Sequence, residues 1–270
     1  MACRNAYRTT AAKTANIPTA PKAVTVPEVK ADTTRLLFGV DSKTQANDLL
    51  QHNIDEFEWV VRNKIYPNFY GRYLTGENCL TKEEIHYLHA KGCKIAPIYH
   101  DSSAPKVTDE DGVLLGKKVV LLAREFGIPT ETAIFLEIDD KEVITRDFLR
   151  AFARTLLEVG YTPGFKANTD ARYAFDREFT RGIRFTIEIF EKCLVWATTP
   201  TVPPFDGLLT SHFIHPDTWT PFAPSGITRR EVAIWQYGKN CHPIEDDMGN
   251  LTTFNLDLVR NEQVITQKMF

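Results

Sequence analysis

The run Phe135-Leu136-Glu137-Ile138-Asp139-Asp140 ends an apolar stretch in three carboxylates. Ala133 to Ile138 reads as a buried strand, and charged side chains are rarely buried unless they are paired or do chemistry. Glu137 and Asp139 are two apart, so they share one face of an extended chain. Two carboxyls at close quarters repel, which raises one pKa and keeps a proton available. That division of labour suits general acid–base catalysis, and glycosidic bond cleavage uses such a pair. Asp41, at the end of another apolar run, is a candidate for a further carboxylate. The plainer reading of Asp139 and Asp140 is that they cap the loop that follows.

Strands that deliver acids to their C-terminal ends are how an α/β barrel builds an active site. Apolar runs at 36–40, 69–74, 95–99, 133–138 and 164–167 read as strands, with helical patterns between them. The helices are expected at 45–65, 81–90, 116–126, 145–159 and 173–190. Thr81-Lys82-Glu83-Glu84 has the form of a capping box, and Gly92, Gly127 and Gly160 follow helix ends. Three further strands, 193–197, 207–210 and 232–237, carry little helix between them. Pro200, Pro203 and Pro204 exclude a helix in the first of those gaps. The expected fold is therefore α/β: a TIM-like barrel of about five βα units followed by three strands. An open doubly wound sheet would want a glycine-rich phosphate loop after the first strand, and that position reads Gly39-Val40-Asp41-Ser42-Lys43.

The predicted strand ends form a polar ring. The first ends at Asp41, the second near Tyr70, Arg72 and Tyr73, the third at His100 and Asp101. The fourth ends at Glu137, Asp139 and Asp140, the fifth near Lys166 and Asn168, the last at Gln236 and Tyr237. Glu137, Asp139 and Asp41 are the candidate catalytic residues. Tyr70, Arg72, Tyr99, His100, Asp101, Asp140, Asn168, Trp235, Gln236 and Tyr237 are candidates for holding substrate. Tyr70, Tyr99 and Trp235 offer aromatic surface of the kind sugars stack on, although such residues are more often core. His212, His215 and Cys241-His242 come late, without a helix to align them, and read as surface residues.

Composition narrows the alternatives. The chain has 270 residues, 43% apolar and 25% charged, with a formal charge of −3, which gives no reason to expect nucleic acid. No run approaches the ~18 apolar residues of a membrane span, and no signal-peptide hydrophobic region follows Met1. Five cysteines include no CxxC pair, and no metal site or cofactor is expected. A Cys79–Cys93 bridge cannot be deduced from sequence. Residues 1–32 carry Pro18, Pro21 and Pro27, few large apolar groups and a net charge of +3. They read as a linker-like or disordered tail before a barrel spanning 33–270.

Four segments occur in order: Phe38-Gly39-Val40-Asp41, Phe69-Tyr70-Gly71-Arg72-Tyr73-Leu74, Phe135-Leu136-Glu137-Ile138-Asp139 and Ile234-Trp235-Gln236-Tyr237. Together they resemble the glycoside-hydrolase-like domain family (domain of unknown function 1906), which is similar to the lysozymes of glycoside hydrolase family 25. Asn255-Leu256-Asp257-Leu258 resembles the stretch that follows the last strand in those lysozymes. The resemblance covers roughly 35–264. It implies a barrel of five βα units and three strands, and a bacterial wall glycan as substrate, outside the cell or on its wall. It matches Asp41 to the first-strand acid, and Glu137 and Asp139 to an Asp-x-Glu pair. The order here is Glu-x-Asp, so the shorter Asp139 stands where a proton-donating Glu is expected. Misplacement by about 1 Å costs ~100-fold in rate. Three functions follow from these residues: a wall-glycan hydrolase, a glycan-binding barrel without turnover, and a metal- or phosphate-dependent enzyme using Asp41, His100, Asp101 and Asp139.

Overall fold

The structure, a computed structural model, describes residues 35–200, 218–246 and 248–270. The expected tail at 1–32, the expected strand at 207–210, His212 and His215 lie outside the described residues, as does the side chain of His242.

In chain order the elements are β1 (Leu37–Ser42), a small hairpin β2 (Leu49–Leu50) and β3 (Ile54–Asp55), α1 (Glu56–Arg62), β4 (Phe69–Tyr73), α2 (Lys82–Ala90), β5 (Lys94–Tyr99) and α3 (Asp109–Glu125). They continue with β6 (Ala133–Ile138), α4 (Arg146–Leu157), β7 (Thr162–Ala167), α5 (Ala174–Phe185), α6 (Ile187–Phe190), β8 (Leu194–Ala197), β9 (Val232–Glu245), β10 (Leu251–Val259) and α7 (Glu262–Lys268). Eight strands close a barrel in the order β1-β10-β9-β8-β7-β6-β5-β4. All neighbours are parallel except β10, which runs antiparallel to both β9 and β1. The α/β barrel expected from the sequence is the fold observed.

Four local expectations need correction. The helix expected at 45–65 starts only at Glu56, because His52 and Asn53 take positive φ and turn the chain into the hairpin. Leu50 and Ile54 then pack on Ile244 instead of forming a helical stripe. The box at Thr81 is half made: Thr81 Oγ1 accepts from Glu84 N, but the Glu84 carboxylate turns to Arg72. The reciprocal box sits at Thr108 and Asp111 and starts α3 earlier than the apolar pattern does. The eighth strand is β10. Its inward residues Asn255 and Asp257 are polar, so it shows no apolar run.

The barrel floor is apolar. Trp196 packs edge-on against Phe135 and Phe69, with ring centroids 5.2 and 6.1 Å away. A second apolar layer lies between the strands and the outer helices. Burying each such large side chain contributes about 1.5–3 kcal/mol. Cys79, Cys93, Cys193 and Cys241 are free thiols, and Cys241, expected at the surface, is buried. No described helix is long and apolar enough to cross a membrane.

Candidate active site

Above the apolar floor, alternate residues of the strands send polar groups inward. Asp41 comes from β1, Tyr73 from β4, Glu137 from β6, Lys166 from β7, and Asn255 and Asp257 from β10. Gly71 makes room for them: a Cβ there would lie 2.6 Å from both the Asp41 Cβ and the Trp196 ring. Lys166 Nζ is the hub. It lies 2.6 Å from Asp41 Oδ1, 3.2 Å from Glu137 Oε1 and 3.3 Å from the Tyr73 hydroxyl. It also stands 4.9 Å over the Trp196 ring. Asn255 Nδ2 donates to Asp41 Oδ1 at 2.9 Å, and Trp196 Nε1 donates to Asp257 Oδ1 at 2.8 Å.

The electrostatics follow from these contacts. Burial pushes the Lys166 ammonium toward neutrality, but Asp41, Glu137, Tyr73 and Asp257 outweigh it and keep the cation. Burial likewise pushes the Glu137 carboxyl up. Lys166, then His100 and the Tyr73 hydroxyl, more than offset this and hold it below the ordinary value. Asp257 is raised well above the ordinary value, by burial first and then by the charge of Asp41. Asp41 Oδ2 and Asp257 Oδ2 are both buried without a conventional donor, so a proton on Asp257, turned to Asp41, satisfies the two. Burial and the charge of Asp41 thus favour the neutral form of Asp257. The mutual repulsion expected between Glu137 and Asp139 does not govern Glu137; Lys166 does.

A cleft of about 560 Å³ opens over this cluster at the C-terminal mouth of the barrel. Glu137, with 19% of its side chain exposed, and Lys166 reach it, together with Tyr73, His100, Asp139, Asp140, Gln236 and Asn255. Asp139 lies just past the end of β6 and is half exposed; its Oδ2 is 3.0 Å from His100 Nε2. Asp41 is fully buried beneath Lys166 and does not line the cleft. A hollow of about 290 Å³ lies on the β4 side, sharing Lys43, Tyr73 and His100 with the cleft. Another, of about 230 Å³, is lined by Asn168, Arg172 and Phe222 and shares Thr198. Asn168 Nδ2 reaches Asp140 Oδ2 at 3.4 Å.

Several residues expected to hold substrate are placed elsewhere. Tyr70, Arg72, Tyr99, Trp235 and Tyr237 are fully or almost fully buried, on the outer face of the sheet. Each is one residue out of phase with an inward neighbour, and the period of two sends it under the helices. Tyr70 stacks on Phe57, Trp235 donates to Thr199 O, and Arg72 pairs with Glu84. Asp101 turns to the Ser103 hydroxyl and Lys118, which hold it ionised in the loop after β5. Tyr73 and Lys166, which the sequence places at strand ends, and Asn255 and Asp257, in the stretch after the last expected strand, were not among the candidate site residues, and Trp196 was not singled out at all. Tyr73 and Lys166 were legible by parity, being in phase with the inward face. Asp257 was marked only by the resemblance of Asn255-Leu256-Asp257-Leu258, which gave it no role.

His100, Asp139 and Glu142 each offer a metal-ligand atom, all within 4.8 Å of one another. Glu142 is already engaged: Lys106 Nζ lies 2.5 Å from one oxygen, and Asp139 N donates to the other. The donor set is therefore a poor fit to a divalent cation.

Among solved structures, an uncharacterized B. stearothermophilus protein shares 24% identity over 87% of this chain and all of its own, with a TM-score of 0.68. A family GH25 lysozyme from Aspergillus fumigatus is 10% identical, with a TM-score of 0.51, over 86% of this chain and 99% of its own. The modular autolysin LytC from Streptococcus pneumoniae, in complex with a synthetic peptidoglycan ligand, is 11% identical with a TM-score of 0.50. That likeness covers 83% of this chain and 46% of LytC. These likenesses show a shared barrel. No curated protein matches the sequence. The family model for the Rv2525c-like, glycoside hydrolase-like domain matches residues 66–247. With β4 to β9 of the barrel inside that match, the chain belongs to the Rv2525c-like, glycoside hydrolase-like domain family.

Proposed function

We propose that the protein is a glycoside hydrolase acting on bacterial cell-wall glycan, peptidoglycan or a related polysaccharide, outside the cell or on its wall. One observation carries this reading: Glu137 is held ionised by Lys166 at the floor of a 560 Å³ cleft, with Asp139 and His100 beside it on the wall. An ionised carboxylate suits a base or nucleophile. Asp139, hydrogen-bonded to His100 on the cleft wall, is the candidate for the second carboxyl of the pair. Asp41 serves as a buried counterion that fixes Lys166. The hollows flanking the cleft give room for a chain of sugars. LytC, which shares the barrel over 46% of its length, is in complex with a synthetic peptidoglycan ligand, which supports a polysaccharide as the class of ligand.

A glycan-binding barrel without turnover is the second reading. The pinning of Glu137 by Lys166 and the burial of Asp41 favour it. The aromatic residues first assigned to that role, Tyr70, Tyr99 and Trp235, are not available to a sugar, which leaves Tyr73 at the cleft. Release of reducing ends from purified wall polysaccharide tests the choice. Glu137→Gln is expected to lower release about 100-fold or more while the protein still unfolds cooperatively. Equal release by variant and wild type removes Glu137 from the chemistry. Binding by the wild type without any release leaves the second reading standing.

A further inference from the structure

The closed ring of strands sets which groups face each other over the cleft. In an eight-membered ring ordered β1-β10-β9-β8-β7-β6-β5-β4, β10 lies opposite β6. Lys43 follows β1 and Lys239 lies in β9, so the two flank β10. Both are exposed and line the cleft, and neither is in an ion pair with any described residue. Gln236 lies on the same wall. It is 3% exposed, lines the cleft, and its side chain has no hydrogen-bond partner among the described residues. Its amide opens to the cleft and offers a donor and an acceptor to a polar group of a ligand. The opposite wall, after β6, carries Asp139, Asp140 and Glu142, with exposed Lys141 among them and Lys106 on Glu142. The wall around β10 therefore presents two cations and no carboxylate, whereas the β6 wall mixes three carboxylates with Lys141, Lys106 and His100.

We infer that the cleft takes a glycan whose sugars carry free carboxylates, hexuronates being the simplest class, oriented with the carboxylate on the Lys43–Lys239 wall. This rests on the polysaccharide reading of the same cleft and narrows it. A peptidoglycan strand whose muramic carboxyls are tied up as amides of stem peptides offers no such group along its sugars. A carboxylate set against the β6 wall instead would meet Asp139 and Asp140 along with Lys141, so the Lys43–Lys239 wall is the more favourable side.

Calorimetric titration tests the inference, with Glu137→Gln protein as the background so that no turnover intervenes. The probes are a glucuronate-containing oligosaccharide and the same oligosaccharide with its carboxyls reduced to alcohols. The carboxylated form is expected to bind about tenfold more tightly at low salt, an advantage that shrinks as salt screens it. Adding Lys43→Gln and Lys239→Gln together is expected to abolish the advantage. Lys192→Gln, before β8 at the other mouth of the barrel, is expected to leave it unchanged. Equal binding of the two probes, an advantage that survives the double substitution, or no binding of either overturns the inference. Release of reducing ends by the wild type reports on the hydrolase reading separately. Selective binding without release sinks only that reading; release of neutral chains without selective binding sinks only this one.

Discussion

Two clusters of buried charge lie back to back on β1 and β4, and only one of them opens to solvent. Inside the barrel, Asp41, Lys166 and Glu137 meet beneath the cleft. Outside it, Ser42 donates to Glu56 at 2.5 Å, and Arg72 Nε lies 2.6 Å from Glu84 Oε1. Arg72 also donates to Ser42 O and Asn78 O, and Ala46 N donates to Glu84. Chain neighbours feed opposite clusters: Asp41 and Ser42 part company, as do Arg72 and Tyr73. Each cluster sets one cation among carboxylates. The outer one is sealed by α1, α2 and the loops between, and its carboxyls drift toward the neutral form. Burial raises Glu56 well above the ordinary value and raises Glu84 despite Arg72. The inner one keeps Glu137 charged at an open mouth. Buried charge alone therefore does not mark a site of chemistry; a held charge with an opening does.

The sharpest way to break the comparison is Arg72→Met. It leaves Glu84 buried without its cation and is expected to lower stability by about 3–5 kcal/mol in urea unfolding. A loss below about 1 kcal/mol would mean that the outer cluster holds nothing together. Lys166→Met comes next. Its stability loss should be the smaller of the two, because Glu137 can be rehydrated from the cleft and Asp41 can share the Asp257 proton. Its distinctive effect is on pH dependence: without the cation, the Glu137 pKa rises and the acid limb of activity moves to higher pH. An unmoved limb would show that Lys166 does not set the charge on Glu137.

Glu56→Gln is expected to have the smallest effect, under about 1 kcal/mol at mildly acid pH, since burial favours the neutral form of the carboxyl and the amide is neutral too. A carboxyl raised by folding contributes stability that is whole below the ordinary value of 4.5 and is lost as pH rises toward the folded value. Glu137, lowered by folding, acts in the opposite sense: its contribution is present above the ordinary value and is lost as pH falls. Thermal melts of Glu56→Gln across pH should therefore flatten the decline on the alkaline side and leave the acid side alone. A steeper alkaline decline would reverse the assignment of Glu56 as the neutral partner.

The parallel strands from β4 to β7 were legible because they are continuous apolar runs, and Asp41 and Glu137 stood out as acids at the ends of such runs. The hairpin at 49–55 was not, since its apolar residues also fit a helical stripe and only the backbone at His52 and Asn53 distinguishes the two. β10 was hidden because its inward face is built from Asn255 and Asp257. Choosing Tyr70 and Arg72 over Tyr73, and passing over Lys166, came from the same source: which phase of each strand faces inward.

The sequence by itself determined the pairing of residues by phase, Asp41 apart from Ser42, Arg72 apart from Tyr73, because a strand's side chains alternate whatever surrounds it. It could not determine which phase turns inward. Both faces of these strands are buried, one in the barrel and one under helices, so neither face is marked by exposure to water. Closure of the barrel by an antiparallel strand decided that. It set Asp257 against Asp41, placed Lys166 between Asp41 and Glu137, and turned the second-strand tyrosine that matters from Tyr70 to Tyr73.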